Sequence, residues 1–274
     1  NNTFQITKEY SVKSPSTGKT KRPDIILFVN GIPLVDIETK SPVRESQTWA
    51  DGASQVSEDY ESSIPELFAS NVFNAATEGK EVWYGAVGSN WEDFWEPWKK
   101  KDRETSKLTD IKETIESLFN RVTVLEMLQW YTVFTTDFGK KIKMIARYPQ
   151  YVAINLIIQR VLENKIKRGL IWHWQGSGKS MLMILAAMRL RLEEKLESPT
   201  VIIVVDRIDL DTQISGKFNA ANVPNTIPAN SRAELEKLLK QDTKKVIITT
   251  IHKFGEAEGV LNDRDNIVVM VDEA

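Results

Sequence analysis

The stretch Gly169-Leu-Ile-Trp-His-Trp-Gln-Gly-Ser-Gly-Lys-Ser180 constrains this chain more than any other. A short apolar run (Leu170, Ile171, Trp172) leads into Gly176-Ser177-Gly178-Lys179-Ser180, and Met181, Leu182, Leu185 and Met188 follow at helical spacing. Strand, glycine loop, helix is the context in which such a loop cradles phosphate. Glycines let backbone N–H groups turn inward, and the new helix points its positive end at the same spot. Lys179 is placed to reach outer phosphates, and the Ser180 hydroxyl to hold a magnesium ion. Gly176, Ser177, Gly178, Lys179 and Ser180 are therefore the expected nucleotide site. The alternative is a glycine turn before an ordinary helix, which the flanking pattern disfavours.

Only the second half of this loop is glycine-rich, because His173 stands where the general pattern has its first glycine. The form resembles the first motif of superfamily 2 helicases and DNA translocases more than that of small GTPases or kinases. In such proteins a glutamine upstream of the loop reads the adenine edge. Gln150 matches that place, ahead of a helix marked by Ile154, Leu156, Ile157, Val161 and Leu162. A Gln amide offers both a donor and an acceptor, which adenine requires.

Beyond the loop helix the sequence predicts three strands: Thr200-Val-Ile-Ile-Val-Val205, Val246-Ile-Ile-Thr-Thr-Ile251 and Ile267-Val-Val-Met-Val-Asp272. Continuous β-branched runs alternating with helices indicate a parallel sheet covered on both faces. Ligands in such sheets bind outside the strand carboxyl ends. Lys179, Asp206, Thr250 and Asp272 all fall there. Asp272-Glu273 then reads as an acid pair, with Asp272 on magnesium through water and Glu273 polarising the attacking water.

The first hundred residues carry a different chemistry. Asn30-Gly31 sits between Ile25-Ile-Leu-Phe-Val29 and Ile32-Pro-Leu-Val-Asp-Ile-Glu-Thr-Lys40, a strong hairpin signal because both residues tolerate positive φ. Strand alternation puts Asp36, Glu38 and Lys40 on one face. A buried face with three ionisable groups is costly unless compensated, and a divalent cation held by Asp24 and Glu38 would compensate it. The bland alternative is an edge hairpin with a solvated charged face. Asp36 is either a further ligand or exposed; exposure is the expectation.

Pro23-Asp24 with Glu38-x-Lys40 resembles the PD-(D/E)XK nuclease core. The resemblance implies Asp24 and Glu38 as metal ligands with the Thr39 carbonyl, and Lys40 as the residue orienting water or stabilising phosphate charge. RecB-like members add Gln-x-x-x-Tyr after the lysine. Here Gln55 and Tyr60 lie one residue further apart, so they would not share an α-helical face, and Tyr60 could equally be packing. Trp83, Trp91, Trp95 and Trp98 could stack bases, but core packing is the preferred reading. Lys99-Lys-Lys-Asp-Arg103 reads as a solvated charged loop rather than a phosphate track.

Composition restricts little. The chain has 274 residues, 41% apolar and 27% charged, with a net charge of −2; that describes an ordinary globular protein with room for two domains. It has no cysteine and two histidines, which excludes thiolate metal sites and makes a histidine-rich zinc site a poor fit. No run approaches membrane-spanning length and no signal segment opens the chain, so a cytoplasmic protein without membrane contact is expected. Residue 1 is not Met, and the chain stops inside a motif at Val271-Asp-Glu-Ala274, so it is read as a piece of a longer protein.

Taken together, Trp-Gln-Gly-Ser-Gly-Lys-Ser, Val-Asp-Arg-x-Asp-Leu-Asp-x-Gln, Thr-Thr-Ile-His-Lys-Phe and Val-Asp-Glu-Ala, behind Pro-Asp-Ile-Ile-Leu-Phe-Val-Asn-Gly-Ile-Pro-Leu and Glu-Thr-Lys-Ser-Pro, resemble the restriction (R) subunit of type I restriction–modification enzymes. The resemblance implies an α/β PD-(D/E)XK nuclease-like domain at residues 1–107, a helical linker at 108–138, and a first RecA-like parallel α/β domain at 139–274, truncated at the DEA box. It implies Mg2+-dependent phosphodiester hydrolysis coupled to ATP-driven translocation of double-stranded DNA. The implied partners are modification (methyltransferase) and specificity subunits. Superfamily 2 motors close ATP between two RecA-like halves, so these residues alone are expected to bind ATP with little hydrolysis. The competing expectation is a superfamily 2 translocase or repair helicase whose N-terminal domain only binds DNA.

Overall fold

The computed structural model describes the chain apart from residues 45, 100–109, 138, 175, 198, 207, 242–244, 256–259 and 273–274, and without the side chains of 137, 208–213, 254 and 255. Glu273, most of the charged loop at 99–103 and the Gln213 side chain thus lie outside the described residues. By internal contacts the chain divides into two units, residues 1–132 with 142–148, and residues 133–141 with 149–274.

In the first unit, Phe4–Lys8 (β1) and the short pair Val12–Lys13 (β2) and Thr20–Lys21 (β3) lead to the expected hairpin. Asn30 and Gly31 take φ of 54° and 78°, the left-handed geometry that matches a two-residue turn to twisted strands. They join Ile25–Val29 (β4) antiparallel to Ile32–Thr39 (β5). The register shifts between Leu27 and Phe28, opposite Pro33. Such an irregularity is where a strand tolerates a residue without an N–H.

The next strand, Phe73–Thr77 (β6), is parallel to β5, and parallel neighbours need a crossover. It runs through Trp49–Ser54, a π-helix at Gln55–Tyr60, and short helices Glu61–Ser63 and Pro65–Phe68. Thr48 starts it with a capping box: its hydroxyl accepts the Ala50 N–H and Asp51 accepts the Thr48 N–H. Val82–Gly85 (β7) and Glu96–Pro97 (β8) complete a six-stranded sheet, β1-β4-β5-β6-β7-β8. The crossover buries Val56, Tyr60, Ile64, Leu67 and Phe68 against Ile26, each side chain contributing about 1.5–3 kcal/mol of transfer free energy.

Aromatic residues fill the rest of this core. Phe73 and Tyr84 meet edge to face at 5.9 Å, and Tyr84 meets Trp98 at 5.4 Å. Trp98 is fully buried and donates to Ser117 Oγ at 3.2 Å. Trp95 lies against Gly85, where a Cβ would overlap its indole. Trp49 stacks on Trp83 at 3.9 Å. The tryptophan cluster is therefore packing. Helices Ile111–Leu118 and Arg121–Trp130, expected as a linker, belong to the first unit. The end of the stretch read as helical is instead a strand, Thr132–Asp137 (β9), followed by Lys140–Ile145 (β10).

In the second unit, Tyr148–Glu163 and Lys179–Leu192 are helices, with Tyr148 itself assigned to the first unit. Thr200–Val205 (β11), Thr226–Pro228 (β12), Lys245–Thr250 (β13) and Ile267–Val271 (β14) form a parallel sheet ordered β12-β13-β11-β14. β11 is buried at every position, as a central strand covered on both faces must be. One expected strand is missing. Residues 164–174 are irregular, and Leu170 and Trp172 stand 82% and 84% exposed. An apolar run becomes a strand only beside a partner ladder. Here β12 and β14 end the sheet, and neither pairs with it.

Candidate functional site

The first unit gathers its ionisable groups at the start of β4 and the end of β5. The Asp24 N–H donates to Glu38 Oε1 at 3.1 Å. Asp24 Oδ2 accepts from both the N–H and the hydroxyl of Thr39, each at 2.8 Å. Lys40 Nζ lies 3.5 Å from Glu38 Oε2 and donates to Gln55 Oε1 at 2.6 Å. Gln55 Nε2 in turn donates to the Tyr60 hydroxyl at 2.5 Å, and that hydroxyl donates to the Arg22 carbonyl at 3.4 Å. Asp24, Glu38, Thr39 and Lys40 are thus brought together, and two further side chains hold Lys40 in place.

Local geometry brings Gln55 and Tyr60 together despite their longer spacing. Residues five apart point about 140° away from each other around an α-helix, but share a face where the backbone bonds i to i+5. Gln55–Tyr60 is a π-helix, so the extra residue is absorbed and the pair still meets.

Burial controls the electrostatics. Glu38 is 1% exposed, and its carboxyl is pushed up to about 7, first by burial and then by Asp24, against the pull of the Asp24 N–H and Lys40. Asp36 is not exposed, contrary to expectation. It too is 1% exposed, and neither carboxylate oxygen has a hydrogen-bond partner. Burial, then Glu38 and Asp24, push its carboxyl well above the usual range. Alternation assigned it the right face but could not say that the crossover covers that face.

These groups suit a hard divalent cation, which favours carboxylate oxygen and would relieve the mutual repulsion of Asp24 and Glu38. Among the described residues no three His, Cys, Asp or Glu side chains converge on one point. An ion here would have those two carboxylates, with carbonyl or water oxygens supplying the rest, as magnesium commonly does.

In the second unit, Gly176 and Gly178 take φ of 79° and 81°. Gly178 caps the Lys179–Leu192 helix with no side-chain hydrogen bond, leaving first-turn N–H groups for an anion. Gln150 is 2% exposed, and its Nε2 donates to the carbonyls of Gly178 at 3.0 Å and Ser177 at 3.3 Å. A Cβ at Gly178 would meet that amide unless the Gln150 side chain moved aside, and the positive φ already favours glycine there. Lys217 donates to Ser180 Oγ at 3.1 Å; nothing in its spacing marked it beforehand. Asp206 and Asp272 follow the carboxyl ends of β11 and β14, and the Asp272 N–H extends the ladder to Val204 at 2.9 Å. Among the described residues, no hydrogen bond or ion pair joins Asp272 to Lys179 or Ser180.

Comparison with known proteins follows the same division. Residues 1–93 match the type I restriction enzyme R protein N terminus, and residues 149–274 match the SWI2/SNF2 ATPase. The whole chain is 34% identical to the type I restriction enzyme HindI endonuclease subunit of Haemophilus influenzae. This chain belongs to the R (endonuclease) subunit family of type I restriction enzymes. It is also 28% identical, over its full length, to a putative type I restriction endonuclease subunit of Methanocaldococcus jannaschii. The Staphylococcus saprophyticus subunit is 28% identical over 99% of the chain. The chain spans only 28%, 28% and 29% of these three relatives. It therefore joins a restriction-enzyme N-terminal fold to a superfamily 2, RecA-like ATPase fold. Among the described residues no helix is long and apolar enough to cross a membrane.

Proposed function

We propose that this chain is the DNA-cleaving and ATP-driven part of a type I restriction endonuclease subunit, with a PD-(D/E)XK centre in its first unit. The observation that carries the reading is the Asp24–Glu38–Lys40 constellation, with Lys40 held by Gln55. A solvated hairpin face has no reason to bury Glu38 to 1% exposure beside a lysine. Asp24 and Glu38, with the Thr39 carbonyl, would hold Mg2+; when bound, that ion supplies charge neutralisation at the phosphate and an acidified water. Lys40 places its ammonium beside the Glu38 carboxylate, where it would stabilise charge building on the scissile phosphate.

The second unit supplies the nucleotide site in this reading. Backbone N–H groups of Gly176, Ser177 and Gly178, with Lys179, hold the phosphates of ATP, and Ser180 and Asp272 its Mg2+. Glu273 polarises the attacking water and Gln150 reads adenine. Double-stranded DNA is the substrate, and modification and specificity subunits of the same complex choose the sequence. The competing reading, a translocase whose N-terminal unit only binds DNA, leaves the Lys40–Gln55 bond without a purpose.

The test uses the full-length subunit assembled with modification and specificity subunits on unmodified circular duplex DNA. Asp24→Ala, Glu38→Ala and Lys40→Ala should each abolish cleavage while the first unit stays folded. Persistent cleavage by Lys40→Ala would reject the centre. A large loss of melting temperature in metal-free buffer for all three would make these residues structural instead.

A further inference from the structure

Asp36 is the least comfortable side chain in the first unit. It lies on β5 two residues before Glu38 and so on the same face, between Ile26 of β4 and Asn74 of β6. Its carboxylate is 1% exposed and neither oxygen receives a hydrogen bond. The side chains that act on it are Glu38, Asp24 and Glu61, all acids, together with the Tyr60 hydroxyl, and against them only the neighbouring Ile37 N–H pulls the carboxyl down. The nearby cations are engaged elsewhere: Lys40 with Glu38 and Gln55, and Lys143 with the Asn71 carbonyl.

Burying an unpaired carboxylate is among the costliest things a fold does. Nothing about the strand demands it, since Val35 and Ile37 fill adjacent buried positions with apolar side chains. A cation bound beside it would supply the missing compensation. We propose that Asp36 is a third acidic residue of the cation site formed by Asp24 and Glu38, strengthening the hold on the ion without ligating it directly. This rests on the nuclease-centre reading. The indirect role follows because these acids do not converge as a three-carboxylate ligand set among the described residues. Asp36 is thus a positioning residue: it makes the empty centre electrostatically unfavourable and the loaded one favourable.

The test uses this chain without nucleotide. Free Mn2+ is followed by electron paramagnetic resonance during titration, and melting is measured in EDTA and in Mg2+. Asp36→Asn and Asp36→Val should bind Mn2+ about tenfold more weakly, or worse, the usual cost of losing a residue that supports metal ligands. Both should melt higher than the wild type in EDTA and gain less from Mg2+. Unchanged Mn2+ affinity in Asp36→Asn overturns the proposal, as does a lower melting temperature in EDTA for both variants, which would mark a structural role. Glu38→Gln is the reference that should lose the site. If it binds Mn2+ as the wild type does, the nuclease-centre reading itself fails, and with it this one.

Discussion

Gln55 accepts a 2.6 Å hydrogen bond from Lys40 Nζ across fifteen positions of sequence, and a π-helix is what lets Tyr60 grip the same amide from the other side. The lysine is therefore fixed by a side chain on the crossover as well as by Glu38 of β5. Gly52, one turn earlier, permits this approach: a Cβ there would press on Ala76 at 3.0 Å and Glu38 at 3.3 Å.

Gln55→Ala should free Lys40 while leaving the unit folded. A hydrogen bond to a charged group is worth about 1.5–3 kcal/mol, so cleavage by the assembled enzyme should fall roughly tenfold to a hundredfold. Deleting Ser57 should instead turn the π-helix into an α-helix with Gln and Tyr four apart, and cleavage should survive. Circular-DNA cleavage with melting controls checks both. Full activity in Gln55→Ala would remove the amide from the site.

Glu61 gives a pH dependence with a defined sign. It accepts from Asn74 Nδ2 at 2.9 Å and the Gly88 N–H at 2.8 Å. Burial, outweighing those bonds and Lys143, pushes its carboxyl up from 4.5 to about 7. An acid raised on folding contributes stability that is fully present below its unfolded pKa and lost as pH rises through the folded one. The contribution should be intact near pH 4.5 and gone above about 7. Glu61→Gln carries no such titration, so its melting temperature relative to wild type should rise between those values. A constant difference across the range would contradict the shift.

Gln150 stands against the phosphate loop, donating to the Gly178 and Ser177 carbonyls. Gln150→Ala should weaken ATP binding about tenfold, the size expected for one buried hydrogen-bonding group. It should also erase any preference of ATP over GTP. Titration calorimetry with both nucleotides separates two roles. Equal wild-type affinity for ATP and GTP would leave Gln150 as a brace for the loop and nothing more.

Much of this arrangement was legible in the sequence because it is encoded locally. Asn30-Gly31 announces its hairpin by backbone tolerance, the β-branched runs of β11, β13 and β14 announce a buried parallel sheet, and Asp24, Glu38 and Lys40 announce themselves by type and spacing. What stayed hidden depends on distant chain. Asp36 is buried because the 49–68 crossover covers its face. Tyr60 meets Gln55 because the helix changes its hydrogen-bond register, which no side-chain periodicity shows. Leu170 and Trp172 fit a strand pattern yet lack a ladder, and Thr132–Asp137 forms one where helical periodicity had been read.

The final expectation concerns how the two chemistries depend on each other. They lie in separate units of one chain, and we propose that cleavage is a consequence of ATP-driven translocation, not the reverse. Lys179→Ala removes the cation placed to hold the outer phosphates, so DNA-stimulated ATP hydrolysis by the assembled enzyme should stop. If cutting requires a stalled or colliding motor, the same change silences cleavage, although Asp24, Glu38 and Lys40 are untouched. Lys40→Ala should do the opposite, leaving DNA intact while ATP turnover continues near the wild-type rate. Circular-DNA cleavage and ATP turnover, measured side by side on both variants, decide the matter. Should Lys179→Ala still cut circular DNA at the normal rate, the coupling is wrong, and the phosphate loop serves a step that cleavage does not need.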